Sequence, residues 1–189
     1  MRIIAGSLKG RRLEVPSWEG LRPTSDKLRE TLFDILAPRI AGARVLDAYA
    51  GTGAVGLEAL SRGAGYVTFI EQDRRAHALI EANLTHCGIA DGYAIIHANV
   101  ARGLEMLRDR PPFDIILLDP PYERLRPMGR ENDTVVMALV AAAELMAPDG
   151  VLILEHARRR RAPAAAGRLA RLREVTSGDS ALSFYEMTR

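Results

Sequence analysis

Segments with strand character alternate with segments of helical periodicity from residue 43 to residue 155. The strand signals are short apolar runs, and they fall at 43–47, 66–71, 93–97, 113–118 and 151–155. The helical signals fall between them, at 54–62, 74–87, near 100–108 and near 131–147. Strands separated by helices run parallel and are joined by right-handed crossovers. The alternation therefore predicts a doubly wound α/β sheet that is mostly parallel.

The end of the chain departs from this alternation. Residues 169–176 and 181–187 are extended segments, and the sequence Ser177-Gly178-Asp179 between them is a hairpin signal. We therefore expect an antiparallel hairpin to close the parallel sheet. Residues 158–167, which precede it, are rich in arginine and alanine and are expected to form either a helix or a loop.

The first 40 residues are predicted to form an extension of the α/β domain. Residues 2–5 and 11–15 flank a glycine-containing turn, a pattern typical of a small β-hairpin with a basic tip. Thr24 is expected to cap a following helix, and Pro38 is expected to end it. We expect two parts, the hairpin plus helix over residues 1–40 and the α/β domain over residues 41–189.

Composition excludes several classes of protein. At 189 residues and 20.7 kDa, the chain is long enough for one well-buried α/β domain. Cys87 is the only cysteine, which excludes an internal disulfide, fits a reducing compartment and indicates a packing residue. No apolar stretch approaches the ~20 residues that span a bilayer, and the histidines show no metal-ligand spacing. We expect a cytoplasmic protein without a signal peptide, membrane span or structural metal.

Basic residues are clustered although the net charge is only +2. Arg2, Lys9, Arg11 and Arg12 lie within the first twelve residues, where there is no acid, and residues 158–161 are all arginine. Such clusters suit a polyanionic partner such as RNA. A solvated surface is the alternative interpretation of either cluster.

The first predicted strand ends at Asp47 and is followed by a glycine-rich segment. Gly51, Gly53 and Gly56 satisfy the pattern G-x-G-x-x-G, and Glu71 follows Gly51 by twenty residues at the end of the next strand. In doubly wound sheets an acid at that position takes the hydroxyl pair of a ribose. Asp47 would repel a pyrophosphate but suits S-adenosylmethionine, which carries an ammonium and a sulfonium. The residues favour that cofactor over a dinucleotide; a tight turn without a ligand is the remaining alternative.

Asn99 follows the third predicted strand. Its amide could read the edge of an adenine ring, or it could cap the next helix, and the two roles are compatible. We therefore include Asn99 among the candidate cofactor-binding residues.

The fourth predicted strand leads directly into Asp119-Pro120-Pro121-Tyr122. A carboxylate, two prolines and an aromatic ring at that point make a rigid cradle for a planar amine. Neither proline carries a backbone N–H, so the carbonyls face a ligand without a competing donor. The alternative is a turn that only ends the strand. Opposite a pocket that suits a sulfonium, the tetrapeptide predicts a site that brings an amine to an electrophile.

These motifs, in this order, resemble the class I S-adenosylmethionine-dependent methyltransferases that modify exocyclic amines. Further segments are similar to the RsmD family, whose members methylate N2 of one guanine in 16S ribosomal RNA. That resemblance rests on residues 1–6, 9–11, 21–24, Asp26, 29–33 and 51–62. It implies a Rossmann-like, seven-stranded sheet, S-adenosyl-L-methionine as cofactor and 16S rRNA as partner. We expect a monomer, and we favour a small-subunit particle over free rRNA as substrate, although the sequence leaves both questions open.

The resemblance also implies roles for individual residues. Asp119 would accept one N2–H of the guanine, the carbonyl of Pro120 would accept the other, and Tyr122 would stack on the base. The predicted contacts to RNA phosphates are basic side chains of the N-terminal part: Arg2, Lys9, Arg11, Arg12, Arg22, Lys27 and Arg29. Arg22 and Thr24 could instead line the carboxylate end of the cofactor.

Three other interpretations stay open. The amine cradle also fits adenine N6 in DNA or a glutamine amide in a protein. A noncatalytic RNA-binding assembly factor could keep the fold, although it would need neither an intact cofactor loop nor an intact cradle. An NAD-dependent oxidoreductase is disfavoured by Asp47.

Overall fold

Five apolar segments lie side by side as parallel strands at the centre of the computed structural model, which describes residues 1–18, 25–120 and 130–188. The strands are β1 (Arg44–Asp47), β2 (Tyr66–Glu71), β3 (Tyr93–His97), β4 (Phe113–Leu118), β5 (Met146–Ala157), β6 (Ala165–Ala166), β7 (Leu169–Ser177) and β8 (Ser180–Met187). The helices are α1 (Asp26–Ile40), α2 (Ala54–Ser61), α3 (Arg74–Cys87), α4 (Val100–Met106) and α5 (Arg130–Ala143).

The strand order across the sheet is β3-β2-β1-β4-β5-β8-β7-β6. β1 pairs in parallel with β2 on one side and with β4 on the other. From β1 the chain adds β2 and β3 on one side of the sheet and then β4 and β5 on the other. The carboxyl ends of β1 and β4 therefore border the crevice at which doubly wound sheets bind their ligands. The predicted doubly wound α/β fold is confirmed.

Apolar side chains on the two faces of the sheet build two buried layers. α1, α2 and α3 contribute to the layer that contains Phe33, Leu57 and Cys87. α4 and α5 contribute to the layer that contains Leu104 and Leu139. Each fully buried Leu or Phe side chain stabilises the fold by about 1.5–3 kcal/mol. The two layers hold the strands in register and so fix where the residues after each strand lie.

The carboxyl-terminal strands form the predicted antiparallel hairpin. β8 pairs antiparallel with β5 and with β7, so the hairpin extends the parallel sheet. The short strand β6 pairs with β7, and in the described part of the chain the sheet has eight strands, one more than expected. Of the two alternatives for residues 158–167 the loop is confirmed, and it includes β6.

Two boundaries of α1 differ from the prediction. Ser25 is the cap, because its side-chain oxygen accepts a hydrogen bond from the N–H of Leu28 at 3.2 Å. Thr24, the predicted cap, lies outside the described residues. The helix also continues through Pro38 to Ile40. A proline removes one helical hydrogen bond, and the burial of Ile40 in the core offsets that loss in the last turn.

Residues 1–13 form the predicted N-terminal hairpin through backbone hydrogen bonds. The N–H of Ile3 donates to the carbonyl of Arg11 at 2.9 Å, and the N–H of Leu13 donates to the carbonyl of Met1 at 3.0 Å. The side chains of Ile3 and Leu13 are buried in the same layer as those of α1 and α2. The hairpin therefore packs on the α/β part, and the division into residues 1–40 and 41–189 stays a prediction.

The second half of α2 holds the hairpin in place. The buried carboxylate of Glu58 accepts the N–H of Ile4 at 2.8 Å and the N–H of Ala5 at 3.0 Å. The hydroxyl of Ser61 donates to the carbonyl of Ala5 at 2.6 Å and accepts the N–H of Leu8 at 3.0 Å. Hydrogen bonds to a charged group contribute roughly 1.5–3 kcal/mol each, so Glu58 is the stronger of the two anchors.

Replacing Gly6 with alanine tests how closely the hairpin approaches α2. A Cβ at Gly6 would lie 1.8 Å from the carbonyl oxygen of Ser61, whereas a Cβ at Gly10 would have nothing within 4 Å. Both glycines have nearly the same φ, +85° and +86°, so both alanine variants carry about 1–2 kcal/mol of backbone strain. We expect Gly6→Ala to lose a further 1–3 kcal/mol, roughly, through overpacking.

Urea unfolding of the two variants measures this difference. Exchange of the amide hydrogen of Ile3, which is bonded within the hairpin, reports whether the hairpin is released locally. If Gly6→Ala and Gly10→Ala lost the same free energy of unfolding, the close contact with Ser61 would not be supported.

Candidate active site

Acidic side chains gather where strands β1, β2, β4 and β5 end. Asp47 and Glu71 are the last residues of β1 and β2, and Asp119 directly follows β4. Glu155 lies opposite Asp119, near the end of β5. Because these four strands are parallel, all four carboxyl groups lie at the same edge of the sheet, which we call the carboxyl edge.

Asp47 is buried and braces the start of α2. Its Oδ2 accepts the N–H of Gly56 at 3.1 Å. Burial raises the pKa of Asp47 to about 7; the hydrogen bond from Gly56 opposes this shift and the charge of Glu71 adds to it. A positive charge nearby would favour the ionised carboxylate. The environment of Asp47 therefore favours a cationic ligand over an anionic one.

Asp119 lies in a similar environment. Although the residue keeps some exposure to solvent, the surrounding protein desolvates its carboxyl and raises its pKa well above the ordinary value. The charges of Glu155 and Asp47 raise that pKa further. Three carboxyl groups on neighbouring strands thus repel one another, and a bound cation would relieve that repulsion.

Glu71 links the loop after β1 to the end of β2. Its Oε2 accepts the N–H of Gly51 at 2.8 Å, and its Oε1 accepts the N–H of Asp73 at 2.7 Å. Two backbone donors therefore fix the orientation of the carboxylate. Each oxygen keeps a second lone pair, and the half-buried side chain can still accept hydrogen bonds from the hydroxyl groups of a ligand.

The glycines after β1 shape the beginning of α2. Gly51 and Gly53 have φ values of +53° and +76°, in the left-handed region, and Gly53 is the N-cap of α2. A Cβ at Gly56 would lie 2.1 Å from the ring of Phe69 in β2. The glycine pattern is therefore required by the turn and by close helix–sheet packing, and a ligand is not needed to explain it.

Asn99 lies between β3 and α4, and Asp119 and Pro120 directly follow β4. Asn99 caps α4, with its Oδ1 accepting the N–H of Arg102 at 3.0 Å. The predicted capping role is thus confirmed, and the adenine contact stays a prediction. Pro120 is half-buried next to Asp119 at the carboxyl edge. Tyr122 lies outside the described residues, so its stacking role also stays a prediction.

Most of the predicted RNA-binding side chains lie on the surface. Those that are exposed are Arg2, Lys9, Arg11, Arg12 and Lys27. The guanidinium of Arg11 also donates to the carbonyl of His86 near the end of α3, at 3.2 Å. Arg22 lies outside the described residues. Contact with RNA stays a prediction for all of them.

The prediction for Arg29 is wrong. Its side chain is fully buried, and Nη2 donates to the carbonyl of Arg2 and to the carboxylate of Asp26, both at 2.7 Å. Burial lowers the pKa of this guanidinium. Arg29 follows buried Leu28 on the inward face of α1, so it joins the helix to the hairpin and does not present a charge to RNA.

Sequence reasoning missed the polar side chains that hold the hairpin, which are Glu58, Ser61 and Asn83. Asn83 is buried in α3 and connects two loops: its Oδ1 accepts the N–H of Glu14 at 2.7 Å, and its Nδ2 donates to the carbonyl of Thr52 at 3.2 Å. The available signal was a polar residue on an otherwise apolar helix face.

Glu155 was also missed as a site residue. An acid directly after the apolar run 151–154 carries the same signal as Asp119 after β4. Because β4 and β5 are neighbours in the sheet, the two acids meet at the carboxyl edge.

No helix among the described residues is long and apolar enough to cross a membrane. No group of three or more His, Cys, Asp or Glu side chains among them is arranged to hold a metal ion. An open cavity of about 470 Å³ lies at the opposite edge of the sheet, between Arg39, Asp149 and Glu186, and shares no residue with the four carboxyl groups.

The strand order, the glycine turn after β1 and the crevice between β1 and β4 define the Rossmann-like fold of the class I methyltransferases. A solved Escherichia coli structure, "Putative methyltransferase yhhF", shares this fold with a TM-score of 0.79. It is 32% identical in sequence, and the match covers 100% of this chain and 98% of that one.

A family model described as "Conserved hypothetical protein 95" matches residues 1–186, and the chain belongs to this family, the RsmD family. "Putative rRNA methyltransferase YlbH" of Bacillus subtilis (strain 168) is 32% identical over 98% of both chains. "Ribosomal RNA small subunit methyltransferase D" of Escherichia coli (strain K12) is 44% identical over 66% of this chain and 61% of its own length. The resemblance to the RsmD family is confirmed.

The raised pKa of Asp47 predicts a pH dependence of stability. Between its ordinary value of 3.8 and about 7, the folded chain keeps a proton on Asp47 that the unfolded chain has lost. The free energy of unfolding therefore falls as the pH rises through this range, by up to about 1.4 kcal/mol per pH unit for this group. Asp119 contributes in the same direction.

Urea unfolding between pH 5 and pH 8 measures this effect, with Asp47→Asn as the comparison. The asparagine keeps an oxygen for the N–H of Gly56 and cannot ionise. We expect the variant to be less sensitive to pH than the wild type and more stable than it at pH 8. Identical pH profiles for the two chains would contradict the burial of an ionisable Asp47.

Proposed function

We propose that this chain is an S-adenosyl-L-methionine-dependent methyltransferase that methylates the exocyclic N2 amine of one guanine in 16S ribosomal RNA. The observation that supports it most directly is the gathering of Asp47, Glu71 and Asp119 around the crevice between β1 and β4, with Pro120 beside them. Relatives that are named ribosomal RNA small subunit methyltransferases support the substrate class.

The carboxyl groups at the carboxyl edge fit a cationic cofactor. Burial raises the pKa of Asp47 and that of Asp119, and the charge of Glu155 raises the pKa of Asp119 further. The ammonium and sulfonium of S-adenosyl-L-methionine would offset this accumulation of negative charge, whereas a pyrophosphate would add to it. Bound in this site, the cofactor supplies an electrophilic methyl group.

Five residues are proposed to hold the cofactor, and their positions support three kinds of contact with it. Glu71 keeps free lone pairs for the ribose hydroxyls while two backbone donors hold it in place. Asn99 follows the neighbouring strand β3 and would contact the adenine edge. Asp47, Gly51 and Gly53 form the start and the turn of the loop, next to the carboxylates that favour positive charge.

Asp119, Pro120 and Tyr122 are proposed to hold the guanine. The exocyclic amine is a poor nucleophile because its lone pair is delocalised into the ring. Asp119 accepts one N–H, the carbonyl of Pro120 accepts the other, and Tyr122 stacks on the base, so that the nitrogen is held in one orientation. Positioning of this kind accounts for roughly 7–11 kcal/mol of barrier lowering.

The protonation state of Asp119 follows from its surroundings. A protonated carboxyl has reduced acceptor capacity, and the raised pKa favours that form in the free protein. A positive charge bound nearby lowers the pKa again, so Asp119 becomes a full acceptor when the cofactor site is filled. The amine becomes acidic only after it has been alkylated, and Asp119 therefore need not be a strong base.

Exposed basic side chains of the hairpin are proposed to contact RNA phosphates. Such contacts give affinity and register and carry no base identity. The target guanine must leave any stacked helix, which costs a few kcal/mol and favours a loop or a helix end.

Replacing Asp119 with alanine should abolish most of the methyl transfer. The variant removes both side-chain oxygens and leaves the amine without this acceptor, whereas asparagine would keep one oxygen. We expect a loss on the order of 10²–10³ in turnover, as for the removal of one pre-organised polar group. S-adenosyl-L-methionine affinity, measured by titration calorimetry, should fall far less than turnover, because Asp119 acts on the cofactor only through its charge. Asp109→Ala, the same truncation at an exposed position, is the matched control.

The identity of the molecule that accepts the methyl group is tested in the same methyl transfer assay with wild-type protein. Purified 16S rRNA, assembled small subunits and DNA are compared as substrates, and the methylated nucleoside is identified by mass spectrometry. N2-methylguanine in rRNA alone is the expected product. N6-methyladenine, or turnover by Asp119→Ala equal to that of the wild type, would overturn the proposed chemistry.

Replacing Lys9 and Arg12 with alanine should weaken RNA binding. Both side chains are exposed, and Arg11 is left intact because it also holds α3. Each lost phosphate contact should reduce the slope of log affinity against log salt by about 0.7–0.9. Arg108→Ala with Arg110→Ala removes the same charge from an exposed segment after α4 and is the control pair. Equal slopes for the two double variants would remove the hairpin from the RNA interface.

A further inference from the structure

A run of arginines begins directly where β5 ends. Ala157 is the last residue of β5, and residues 158–161 are all arginine. β5 runs parallel to β4, so this run leaves the sheet at the carboxyl edge, where Asp119 follows β4. Arg158 is also only three residues from Glu155, whose charge acts on Asp119. The sequence places this basic cluster beside the candidate active site.

The backbone of this segment, which we call the basic turn (residues 158–161), is fixed on the protein. The N–H of Arg158 donates to the carbonyl of Asp179 at 2.7 Å, and the N–H of Arg160 donates to the carbonyl of Ala157 at 2.9 Å. Immediately after the turn, Ala162 is buried and the carbonyl of Pro163 accepts the hydroxyl of Tyr185 at 2.8 Å. The arginines are therefore exposed side chains on an anchored backbone.

The basic turn and the segment after it concentrate positive charge. Residues 158–173 contain seven arginines and no acid. Within the described part of the chain, the side chains of Arg158, Arg159 and Arg161 form no ion pair, whereas Arg171 pairs with Glu174 at 2.9 Å. The anchored guanidinium groups of Arg158, Arg159 and Arg161 are suited to phosphate oxygens, which they can bind in a bidentate manner.

The N-terminal hairpin lies differently with respect to the site. α2 begins at the carboxyl edge at Gly53 and runs back across the sheet to Ser61, a distance of about 12 Å for its eight residues. The tip of the hairpin contacts Ser61, and Arg11 contacts His86 near the far end of α3. The tip of the hairpin, with Lys9 and Arg11, thus lies toward the amino edge, which is the edge of the sheet opposite the carboxyl edge.

We infer that the basic turn binds RNA phosphates that flank the target base, on the β5 side of the active site. This inference rests on the proposed function, because it places the RNA strand across the carboxyl edge. The hairpin then contacts RNA farther from the reacting amine, and the basic turn fixes the strand close to it. Phosphate contacts of this kind set register on the RNA and do not select the base.

The test compares two double variants. One carries Arg158→Ala together with Arg159→Ala, and the control carries Arg108→Ala together with Arg110→Ala. Both double variants lose two exposed positive charges, one pair at the carboxyl edge and the other at the amino edge. Arg160 is kept because it makes another contact in the folded chain. The backbone bond to Asp179 does not involve the side chains that are removed, so the turn should keep its fold.

Fluorescence anisotropy with a labelled single-stranded RNA loop of 16S rRNA sequence, measured from 50 to 250 mM salt, gives the binding slope. We expect the variant of the basic turn to lower the slope by about 1.4–1.8, and the control pair to leave it unchanged. In the methyl transfer assay, KM for 16S rRNA should rise for the basic-turn variant. Its affinity for S-adenosyl-L-methionine should equal that of the wild type.

The outcomes separate this inference from the proposed function. If the wild type methylates 16S rRNA and the basic-turn variant has the slope and KM of the control pair, the inference fails and the proposed function stands. Equal loss of slope in both double variants would show a general charge effect and would also overturn it. If the wild type transfers no methyl group to rRNA, the proposed function fails, and the anisotropy slope still decides whether the turn binds RNA.

Discussion

Desolvation of carboxyl groups at one edge of the sheet, to which their mutual repulsion adds, is the constraint on which the site depends. β1 and β4 are neighbouring parallel strands, so Asp47 and Asp119 end up close together in a desolvated environment, and the pKa of each is raised. The two apolar layers supply the stability that offsets this cost. A site built in this way favours a ligand that brings positive charge, which is the physical link between the fold and the proposed cofactor.

Elements with a complete local signal could be predicted from the sequence to the residue. β2, β4 and α3 are examples, because each is a periodic or apolar segment bounded by turn or capping residues. β6 could not be predicted, since a strand of two residues exists only through its pairing with β7. Arg29 was assigned to the surface because its charge was considered without the hairpin, whose carbonyl at Arg2 lies against it.

The site shows the same division between local and long-range information. Asp47, Glu71 and Asp119 were identifiable because each directly ends an apolar strand segment, and the parallel fold brings strand ends together. Glu58 and Asn83 were not, because the backbone groups they bind lie 31 to 69 residues away in the sequence. Their partners are known only once the hairpin is packed on α2 and α3.

The short helix α2 contacts both Asp47, a proposed cofactor-binding residue, and the N-terminal hairpin, which is proposed to bind RNA. At its beginning, the N–H of Gly56 binds Asp47 at the cofactor loop. Two residues later, Glu58 binds the backbone of the hairpin, and Ser61 binds it again at the end of the helix. Because these contacts lie within the eight residues of one helix, a displacement of the hairpin would act through α2 on the hydrogen bond between Gly56 and Asp47. The N-terminal hairpin is therefore part of the support of the active site, in addition to any contact that it makes with RNA.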